Sequence, residues 1–384
     1  MKIILCITGS IAATEDLKLI HELQRHNFDV ECFMTDAACD IITPLSMEFA
    51  SKHPVTTKLT GYVEHVINAK ADLIVVAPAT ANTVSKFANK IADNAVTTLL
   101  LTANGYRTPI LFVPSMHISM YHAIEDKINE IKDKYSEVTF LEPVNSENKA
   151  KFPDKRDIVL EVERRVSQQK LEGLNVVVAT GATFEAIDDM RGITNRSSGK
   201  MGIELAKEAY RQGANVTVVC GRIDTYVPSV FERIDVESTD EMMEVIKSTI
   251  YEADIYISAA AISDFKIDKK DGKLSSDNDI SVKFTKLPKV LKEIKEINPN
   301  IYVVGFKAEA AKTQEELIAK AKDRMEKYNT DLMIANDILT EGAGPGSDDN
   351  EVYIIDENDV VSKVELSSKR HVSEEIIDKI YDSI

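Results

Sequence analysis

The stretch Lys2-Ile-Ile-Leu-Cys-Ile-Thr8, followed at once by Gly9-Ser10, decides the fold of this chain. A short apolar run that ends in a turn predicts a buried strand, and Leu17, Ile20 and Leu23 follow at helical spacing. Strand, turn and helix in this order are typical of the opening of an α/β sheet. The nearly continuous apolar run favours a parallel sheet that is buried on both faces.

The same opening recurs in the second half of the chain. Val176 to Ala179, followed by Thr180-Gly181, repeats the strand and the turn. The later segment Ala253 to Ser258 mirrors Ala71 to Val76, and both end in small residues at a strand tip. We therefore predict an α/β protein of two tandem Rossmann-like units with mostly parallel sheets.

Polar segments separate the two predicted units and form surface loops on them. Glu142 to Asp157 contains two prolines and no periodicity, which predicts a long surface loop and a candidate lid. A charged helix from Asp157 to Leu171 follows, so we place the boundary near Glu172, between domains 1–171 and 172–384. Gly342 to Asn350 is rich in Gly and Asp and predicts a mobile loop over a site.

The composition restricts the class of partner. The 384 residues carry a net charge of −17, which disfavours nucleic acid because duplex binding relies on an excess of Lys and Arg. A phosphorylated ligand would need a local basic cluster instead. The four cysteines form neither a CxxC pair nor a zinc spacing, which favours free thiols in a reducing cytoplasm. We expect neither a signal peptide nor a membrane helix, which needs roughly 20 apolar residues.

Ile193 to Gly202 reads Ile-Thr-Asn-Arg-Ser-Ser-Gly-Lys-Met-Gly and runs into an amphipathic helix. Its two serines can cap the helix, its two glycines permit close approach of a ligand, and Arg196 and Lys200 supply positive charge. The stretch predicts an anion cradle, with an ordinary capped loop as the alternative. It is not a P-loop, because Met201 stands where a magnesium-binding Ser or Thr belongs.

Small and polar residues follow the predicted strands of the first unit, where parallel sheets bind ligands. They form the segments Gly9 to Ala13, Pro78 to Thr83 and Pro114 to Met120. The first turn does not read G-x-G-x-x-G, so a mononucleotide phosphate near Ser10 fits better than a dinucleotide. His65 can serve as a base near neutral pH, with a structural role as the alternative.

Taken together, these motifs resemble two enzyme families. The first half resembles the flavin-containing cysteine decarboxylases in Gly9 to Ala13, His65, Pro78 to Thr83 and Pro114 to Tyr121. The second half resembles phosphopantothenate–cysteine ligase in Asn195 to Gly202, Ala259 to Asp264, Gly305-Phe306 and Ala335 to Asp337. In this order they match the bifunctional enzymes of coenzyme A biosynthesis over nearly the whole chain. The resemblance implies a flavodoxin-like decarboxylase domain followed by a ligase domain.

For the second half, the resemblance implies CTP-dependent activation of 4′-phosphopantothenate as an acyl-cytidylate, after which L-cysteine displaces CMP. Mg²⁺ shields the triphosphate, with Asp264 at the metal. Asn195 is implied to contact the activated acyl group and Lys273 to face the phosphates, both as catalytic residues. The implied nucleotide-binding residues are Ala259, Ala260, Asp264, Lys273, Pro288, Lys289, Val290, Phe306, Lys322 and Lys327. The lysines from 283 to 292 could instead form a solvated face.

For the first half, the resemblance implies an oxidative decarboxylation with FMN as cofactor, which yields 4′-phosphopantetheine. His65 and Asn82 match the catalytic residues of that family. The implied flavin pocket comprises Gly9, Ser10, Ile11, Thr35, Pro78, Thr80, Asn82 and Met116. Homo-oligomers are also implied, with trimers of the flavin domain and dimers of the ligase domain.

Two departures from the decarboxylase pattern stand out. His117 occupies the place of an Asn in the family motif, which puts recognition of the substrate carboxylate in question. Many relatives carry a loop cysteine that donates the proton for the final reduction, and Glu142 to Asp157 contains none. Either another group supplies this proton, or the half-reaction is different or lost. The alternative function is therefore an active ligase fused to a degenerate or regulatory flavin-binding module.

Overall fold

A computed structural model describes residues 1–146, 149–275, 281–311 and 313–384. The chain divides into two compact units, Met1–Ser167 and Gln168–Ile384. Leu171 is buried, and its N–H donates to the carbonyl of Gln212 within the second unit. The domain boundary between residues 171 and 172 stays a prediction, and each unit is described by itself.

The helices of the first unit surround one main sheet. Its strands are β1 Lys2–Ile7, β2 Asp29–Met34, β3 Leu73–Ala79, β4 Ile110–Pro114, β5 Met116–His117, β6 Val138–Phe140, β7 Val144–Ser146 and β8 Lys149–Lys151. Its helices are α1 Asp16–Arg25, α2 Asp36–Cys39, α3 Pro44–Ser51, α4 Glu64–Asn68, α5 Ala81–Ala88, α6 Ala95–Tyr106, α7 Ile118–Ala123, α8 Glu125–Lys134 and α9 Lys155–Val166. A 3-10 helix, Ile11–Glu15, follows β1.

The main sheet of the first unit is parallel, with the strand order β2-β1-β3-β4-β6. Renumbered by position in the chain, this is the order 2-1-3-4-5 of flavodoxin-like folds. Every residue of β3 is buried, as expected for a central strand with helices on both faces. The predicted flavodoxin-like fold is confirmed. The order reverses between β1 and β3, so a ligand crevice is expected beyond their carboxyl ends.

The stretch from Glu142 to Asp157 is not the continuous loop that we predicted. β7 pairs antiparallel with β8, and β8 pairs with β5. Three-residue strands are too short to show a period, which is why the sequence pattern missed them. The following helix begins at Lys155, where Asp154 caps it, and ends at Val166. Residues 147 and 148 lie outside the described range, and the lid role stays a prediction.

The second unit is built on a larger sheet. Its strands are β9 Asn175–Thr180, β10 Phe184–Ala186, β11 Gly192–Thr194, β12 Asn215–Cys220, β13 Glu232–Asp235, β14 Ile255–Ser258, β15 Phe265–Ile267, β16 Phe284–Lys286, β17 Tyr302–Glu309, β18 Leu332–Asp337, β19 Asp349–Asp356 and β20 Val361–Ser368. Its helices are α10 Lys200–Arg211, α11 Thr239–Thr249, α12 Ile294–Ile297, α13 Gln314–Tyr328 and α14 Lys369–Tyr381. Two 3-10 helices span Ile250–Glu252 and Val290–Lys292.

The strand order of the second sheet is β13-β12-β9-β14-β17-β18-β19-β20. Its first six members are parallel and follow the order 3-2-1-4-5-6 of Rossmann folds, which confirms the predicted class. β19 and β20 add an antiparallel edge, and α14 closes the unit. The order reverses between β9 and β14, which sets the expected crevice at Thr180 and Ser258. None of the helices in the described ranges has the length and apolar character needed to cross a membrane.

The close packing of α10 on β9 requires Gly202, and the predicted close approach of a ligand at this glycine stays a prediction. A Cβ built on Gly202 would lie 2.3 Å from Oγ1 of Thr180. Thr180 has no room to move, because it is fully buried and its hydroxyl donates to the Gly199 carbonyl at 2.9 Å. The helix therefore approaches the strand at a distance that only glycine permits at this position.

We expect Gly202→Ala to destabilise the second unit by about 1 kcal/mol or more. Overpacking a filled core costs about 1–3 kcal/mol, which exceeds the gain of about 0.5–1 kcal/mol from removing a helical glycine. Gly105→Ala in α6 is the matched control, since a Cβ there meets nothing within 4 Å and should stabilise the first unit. Urea unfolding of both variants measures the two effects. An equal gain in stability for both would contradict the packing role.

Candidate functional site

Three segments of the first unit meet at the carboxyl edge of its sheet. Oγ of Ser10 lies 3.5 Å from Oγ of Ser115, and Oγ1 of Thr8 lies 3.3 Å from Oγ1 of Thr80. Thr8 also donates to the carbonyl of Pro78 at 2.6 Å. The ends of β1, β3 and β4 therefore form one surface, as the parallel order requires.

This edge presents hydroxyl groups and helix N-termini. Ser10 caps the 3-10 helix Ile11–Glu15, Thr35 caps α2 and Thr80 caps α5, each by accepting a backbone N–H. A Cβ on Gly9 would lie 2.6 Å from Cβ of Ala37, so glycine lets the turn pack on α2. Hydroxyl and N–H donors of this kind fit the phosphate and the ring edge of a flavin mononucleotide.

The other predicted flavin residues are placed around the same edge. Ile11 is exposed at the turn after β1, and Asn82 is exposed on α5. Met116 is half-buried in β5, whereas Pro78 is buried at the end of β3. Their assignment to the flavin stays a prediction.

His65 lies in α4, which packs against α6. Its Nδ1 atom is buried and has no hydrogen-bond partner in the described part of the chain. Glu64 accepts the N–H of Thr60 at 2.9 Å, and Val63 precedes the helix with a left-handed φ of 51°. No hydrogen bond among the described residues links His65 to Asn82. A buried ring nitrogen without a partner suits a bound ligand or a transferred proton.

A pocket of about 600 Å³ opens at the carboxyl edge of the second sheet. Its walls include Asn195–Gly202, Ser258–Asp264 and Pro288–Leu291. Phe306 in β17 and Asn336 in β18 complete the side formed by strand ends. This is the crevice expected where the strand order reverses.

Most of the predicted ligase residues line this pocket. The Asn195 side chain is exposed and donates from Nδ2 to the Ala261 carbonyl at 3.0 Å. The predicted residues among the lining residues are Asn195, Ala259, Ala260, Asp264, Pro288, Lys289, Val290 and Phe306. The structure thus brings together segments that are far apart in the sequence.

Three predicted residues are not among the residues that line the pocket. Lys322 pairs with Asp359 at 2.7 Å, and Lys327 lies over the ring of Tyr328. Lys273 is exposed. The N–H of its neighbour Leu274 donates to the carboxylate of Asp188 at 3.1 Å.

Arg324 and Tyr328 are the residues of α13 that face the pocket, and the sequence prediction missed both. The signal was present, because Leu317, Ala321 and Met325 form the buried stripe of the helix. Arg324 adjoins this stripe, and Tyr328 belongs to it. The predicted lysines of the same helix lie away from the stripe.

The pocket collects positive charge. Its cationic residues are Arg196, Lys200, Lys289, Lys307, Arg324 and Lys369. Among the described lining residues, Asp264 alone is acidic. In a chain with a net charge of −17, this concentration of cations indicates a site for a multiply charged anion.

Two of these lysines bind the loop that we predicted over a site. Nζ of Lys200 donates to Asp348 at 2.6 Å and to the Gly346 carbonyl at 2.8 Å. Nζ of Lys369 donates to the carbonyls of Ser347 and Asp349. Burial and the charge of Lys200 lower the pKa of Lys369. The loop thus accepts hydrogen bonds from the ammonium groups of Lys200 and Lys369, which an anion in the pocket could otherwise receive.

The start of α10 differs from the prediction. Its N-cap is Gly199 with a φ of 76°, and no side chain caps the helix. The Ser197 hydroxyl accepts the Gly199 N–H at 3.3 Å instead, so the predicted serine cap is wrong. A left-handed residue is needed here, and a Cβ would lie 2.6 Å from Cγ2 of Ile223. The first turn of α10, Lys200 to Gly202, therefore lines the pocket without a side-chain cap on its N–H groups.

The predicted metal residue is already paired. Oδ1 of Asp264 contacts Nζ of Lys289. Burial lowers the pKa of Lys289 to about 8, and Arg324 and Lys307 act in the same direction. We hold Lys289 to be protonated at neutral pH, because the contacting carboxylate opposes that shift.

The donor set fits Mg²⁺ only as a metal that is bound together with phosphates. In the described ranges, no group of three His, Cys, Asp or Glu side chains could hold a metal ion. One carboxylate plus the oxygens of a triphosphate is the usual coordination of Mg²⁺ in nucleotide sites.

Both units match known protein families. The flavoprotein family matches residues 1–167. The C-terminal domain of the DNA/pantothenate metabolism flavoproteins matches residues 171–384. The folds, the two sites and these matches define the class: a two-unit flavoprotein of pantothenate metabolism.

Curated relatives narrow this class. The chain is 42% identical to the coenzyme A biosynthesis bifunctional protein CoaBC of Thermococcus kodakarensis, over 99% of this chain and 94% of that protein. It is 38% identical to the CoaBC of Methanocaldococcus jannaschii, over 99% of this chain and 93% of that protein. It is 34% identical to the CoaBC of Bacillus subtilis, over 98% of this chain and 96% of that protein. The chain belongs to the family of coenzyme A biosynthesis bifunctional proteins, which confirms the resemblance.

Proposed function

We propose that the two units of this bifunctional enzyme catalyse consecutive reactions of coenzyme A biosynthesis. The second unit joins L-cysteine to 4′-phosphopantothenate through an acyl-cytidylate, with CTP as co-substrate. The first unit decarboxylates the product to 4′-phosphopantetheine. The cationic pocket in an acidic chain carries this proposal, because it suits a triphosphate and a phosphorylated acid together.

The pocket supports distinct roles for its residues. Lys289, Lys307 and Arg324 would hold the phosphates of CTP, and Phe306 would pack on the cytosine. Mg²⁺ would arrive with those phosphates. Asp264 would then exchange its ion pair with Lys289 for a bond to the metal. Asn195 has a second Nδ2 hydrogen for the carbonyl oxygen of the activated acyl group. Lys273 keeps its predicted role at the phosphates.

The first unit is proposed to hold FMN at the edge where the hydroxyls of Ser10, Thr80 and Ser115 meet. Bound FMN would supply the reversible two-electron oxidation of the cysteinyl side chain that allows carbon dioxide to leave. His65 would accept the thiol proton at its unpartnered ring nitrogen. Asn82, exposed at the start of α5, would orient the substrate. Nothing in the comparisons favours the alternative of a degenerate flavin module.

Arg324→Ala is expected to raise the KM for CTP by about tenfold to hundredfold. A hydrogen bond to a charged group contributes about 1.5–3 kcal/mol, and each 1.4 kcal/mol is a factor of ten. Lys322→Ala is the matched control, because Lys322 lies on the same helix and pairs with Asp359. Initial rates of CMP release at varied CTP measure both. A larger effect at Lys322 than at Arg324 would restore the sequence-based assignment.

We also propose that the enzyme is a cytoplasmic homo-oligomer, with trimers of the first unit and dimers of the second. All four cysteines are free, which supports a reducing compartment. Ile11, Leu45, Phe49 and Tyr62 are 67–81% exposed in the first unit, which supports burial of apolar surface in an assembly. Native mass spectrometry of the full chain tests the assembly.

A further inference from the structure

The last turn of α13 brings an aromatic ring against the guanidinium group of Arg324. Arg324 and Tyr328 both line the cationic pocket, and their spacing along the helix makes them neighbours on one face. The guanidinium carbon lies 5.3 Å from the centre of the Tyr328 ring. This distance is within the range of roughly 6 Å for a cation–π contact. The contact links a pocket cation to a side chain that has no role in the proposed chemistry so far.

The guanidinium group of Arg324 is free for a ligand. No hydrogen bond and no ion pair joins Arg324 to another residue in the described part of the chain. Lys307 of the same pocket, by contrast, pairs with Glu309 at 2.5 Å. A free guanidinium group has all of its N–H donors available for phosphate oxygens. Its long side chain also loses conformational entropy when a ligand fixes it, and that loss weakens binding.

The fold holds the Tyr328 ring in place. Tyr328 is buried and ends α13, and the next residue, Asn329, turns the chain with a left-handed φ of 51°. The N–H of Thr330 then donates to the carbonyl of Met325 at 3.2 Å, shortly before β18 begins. The ring is therefore fixed between a helix end and an inner strand of the sheet, whereas Arg324 is only half-buried.

Lys327 also approaches this ring but does not share the pocket. Its Nζ atom lies 6.0 Å from the ring centre, which is farther than the guanidinium carbon of Arg324. The Lys327 side chain is exposed, and it is not among the residues that line the pocket. The ring thus orients one cation of the pocket, Arg324.

We propose that Tyr328 is a positioning residue that holds the Arg324 guanidinium group in place for the phosphates of the nucleotide. This inference rests on the proposed use of CTP by the second unit. The ring acts through Arg324, because it restricts the conformations of the free side chain before the ligand arrives. Less entropy is then lost when the triphosphate binds, so binding is stronger and the chemical step is unchanged.

Tyr328→Leu removes the ring and keeps an apolar side chain in the buried stripe of α13. We expect the KM for CTP to rise about two- to fivefold, the effect of losing a partly exposed cation–π contact. The kcat and the KM for 4′-phosphopantothenate should stay unchanged. Tyr328→Phe keeps a ring face and should retain the wild-type KM. Tyr381→Leu is the matched control, because it removes a ring that faces Lys170 outside the pocket.

A double-mutant cycle on the binding of inorganic triphosphate needs no turnover. Titration calorimetry of the full-length protein should show binding about two- to fivefold weaker in Tyr328→Leu. The same change should have no effect in the Arg324→Ala background, because the ring then has no guanidinium group to hold.

Two results of these measurements would overturn the positioning role. Equal weakening by Tyr328→Leu in the presence and in the absence of Arg324 would indicate a merely structural role. A raised KM for CTP with unchanged binding of triphosphate would indicate that the ring stacks on the base instead. A wild-type protein that binds triphosphate but releases no CMP would overturn the proposed function, and the cycle would still decide the role of Tyr328.

Discussion

Asn195→Ala is expected to form the acyl-cytidylate and pyrophosphate but to yield phosphopantothenoylcysteine about 10²–10³-fold more slowly, the loss typical of a single oxyanion donor. Asn195 lies exposed in the pocket, and one Nδ2 hydrogen is already held by the Ala261 carbonyl at 3.0 Å. This bond orients the second hydrogen for the acyl oxygen, whose negative charge grows as the amine of cysteine attacks. Alanine removes the donor without changing the cations that hold CTP.

Quenched reactions analysed by mass spectrometry would show the accumulated acyl-cytidylate directly. Asn215→Ala is the matched control, because Asn215 lies at the opposite, amino end of β12 and its amide donates to Asn175. The control should ligate cysteine normally. Normal ligation by Asn195→Ala would remove the proposed role of this amide.

His65→Asn is expected to slow the release of carbon dioxide by about 10²–10⁴-fold, the loss typical of removing a general base. The ligase activity of the same protein should persist, because His65 lies in α4 of the first unit and the cationic pocket belongs to the second. The buried Nδ1 without a partner is the observation behind this expectation. Labelled carbon dioxide and CMP, measured in one reaction, compare the two activities.

His21→Asn controls for the loss of a histidine, since His21 is exposed on α1 of the same unit. It should leave both activities unchanged. Loss of both activities in His65→Asn would indicate a folding defect, and normal release of carbon dioxide would contradict the role of His65.

The fold was predictable because the central strands are uniform. Runs such as Leu73–Ala79 are apolar throughout and end in small residues, so strand, turn and parallel pairing follow from local pattern. The antiparallel pairs β10–β11, β15–β16 and β7–β8 were missed, because strands of three residues carry no measurable period. Their pairing depends on tertiary contacts that a local pattern does not contain.

The sequence predicted at which edge of each sheet the site lies, but not every residue that lines it. Carboxyl ends of neighbouring parallel strands must meet, which is why Ala260 after β14 and Phe306 of β17 share one pocket. Asn195 follows the antiparallel strand β11 and reaches this pocket through its hydrogen bond to the Ala261 carbonyl. The glycine cap of α10 was missed because it depends on Ile223, which is distant in sequence. Lys369 enters the pocket from the start of the last helix, and no spacing rule connects it to the others.

The central claim is that one chain carries out both reactions. The full-length protein, supplied with 4′-phosphopantothenate, L-cysteine, CTP and Mg²⁺, tests it when CMP, carbon dioxide and 4′-phosphopantetheine are measured together. We predict that all three form in equal amounts once the flavin is bound. A folded, flavin-loaded protein that forms no phosphopantothenoylcysteine and no 4′-phosphopantetheine would contradict the account.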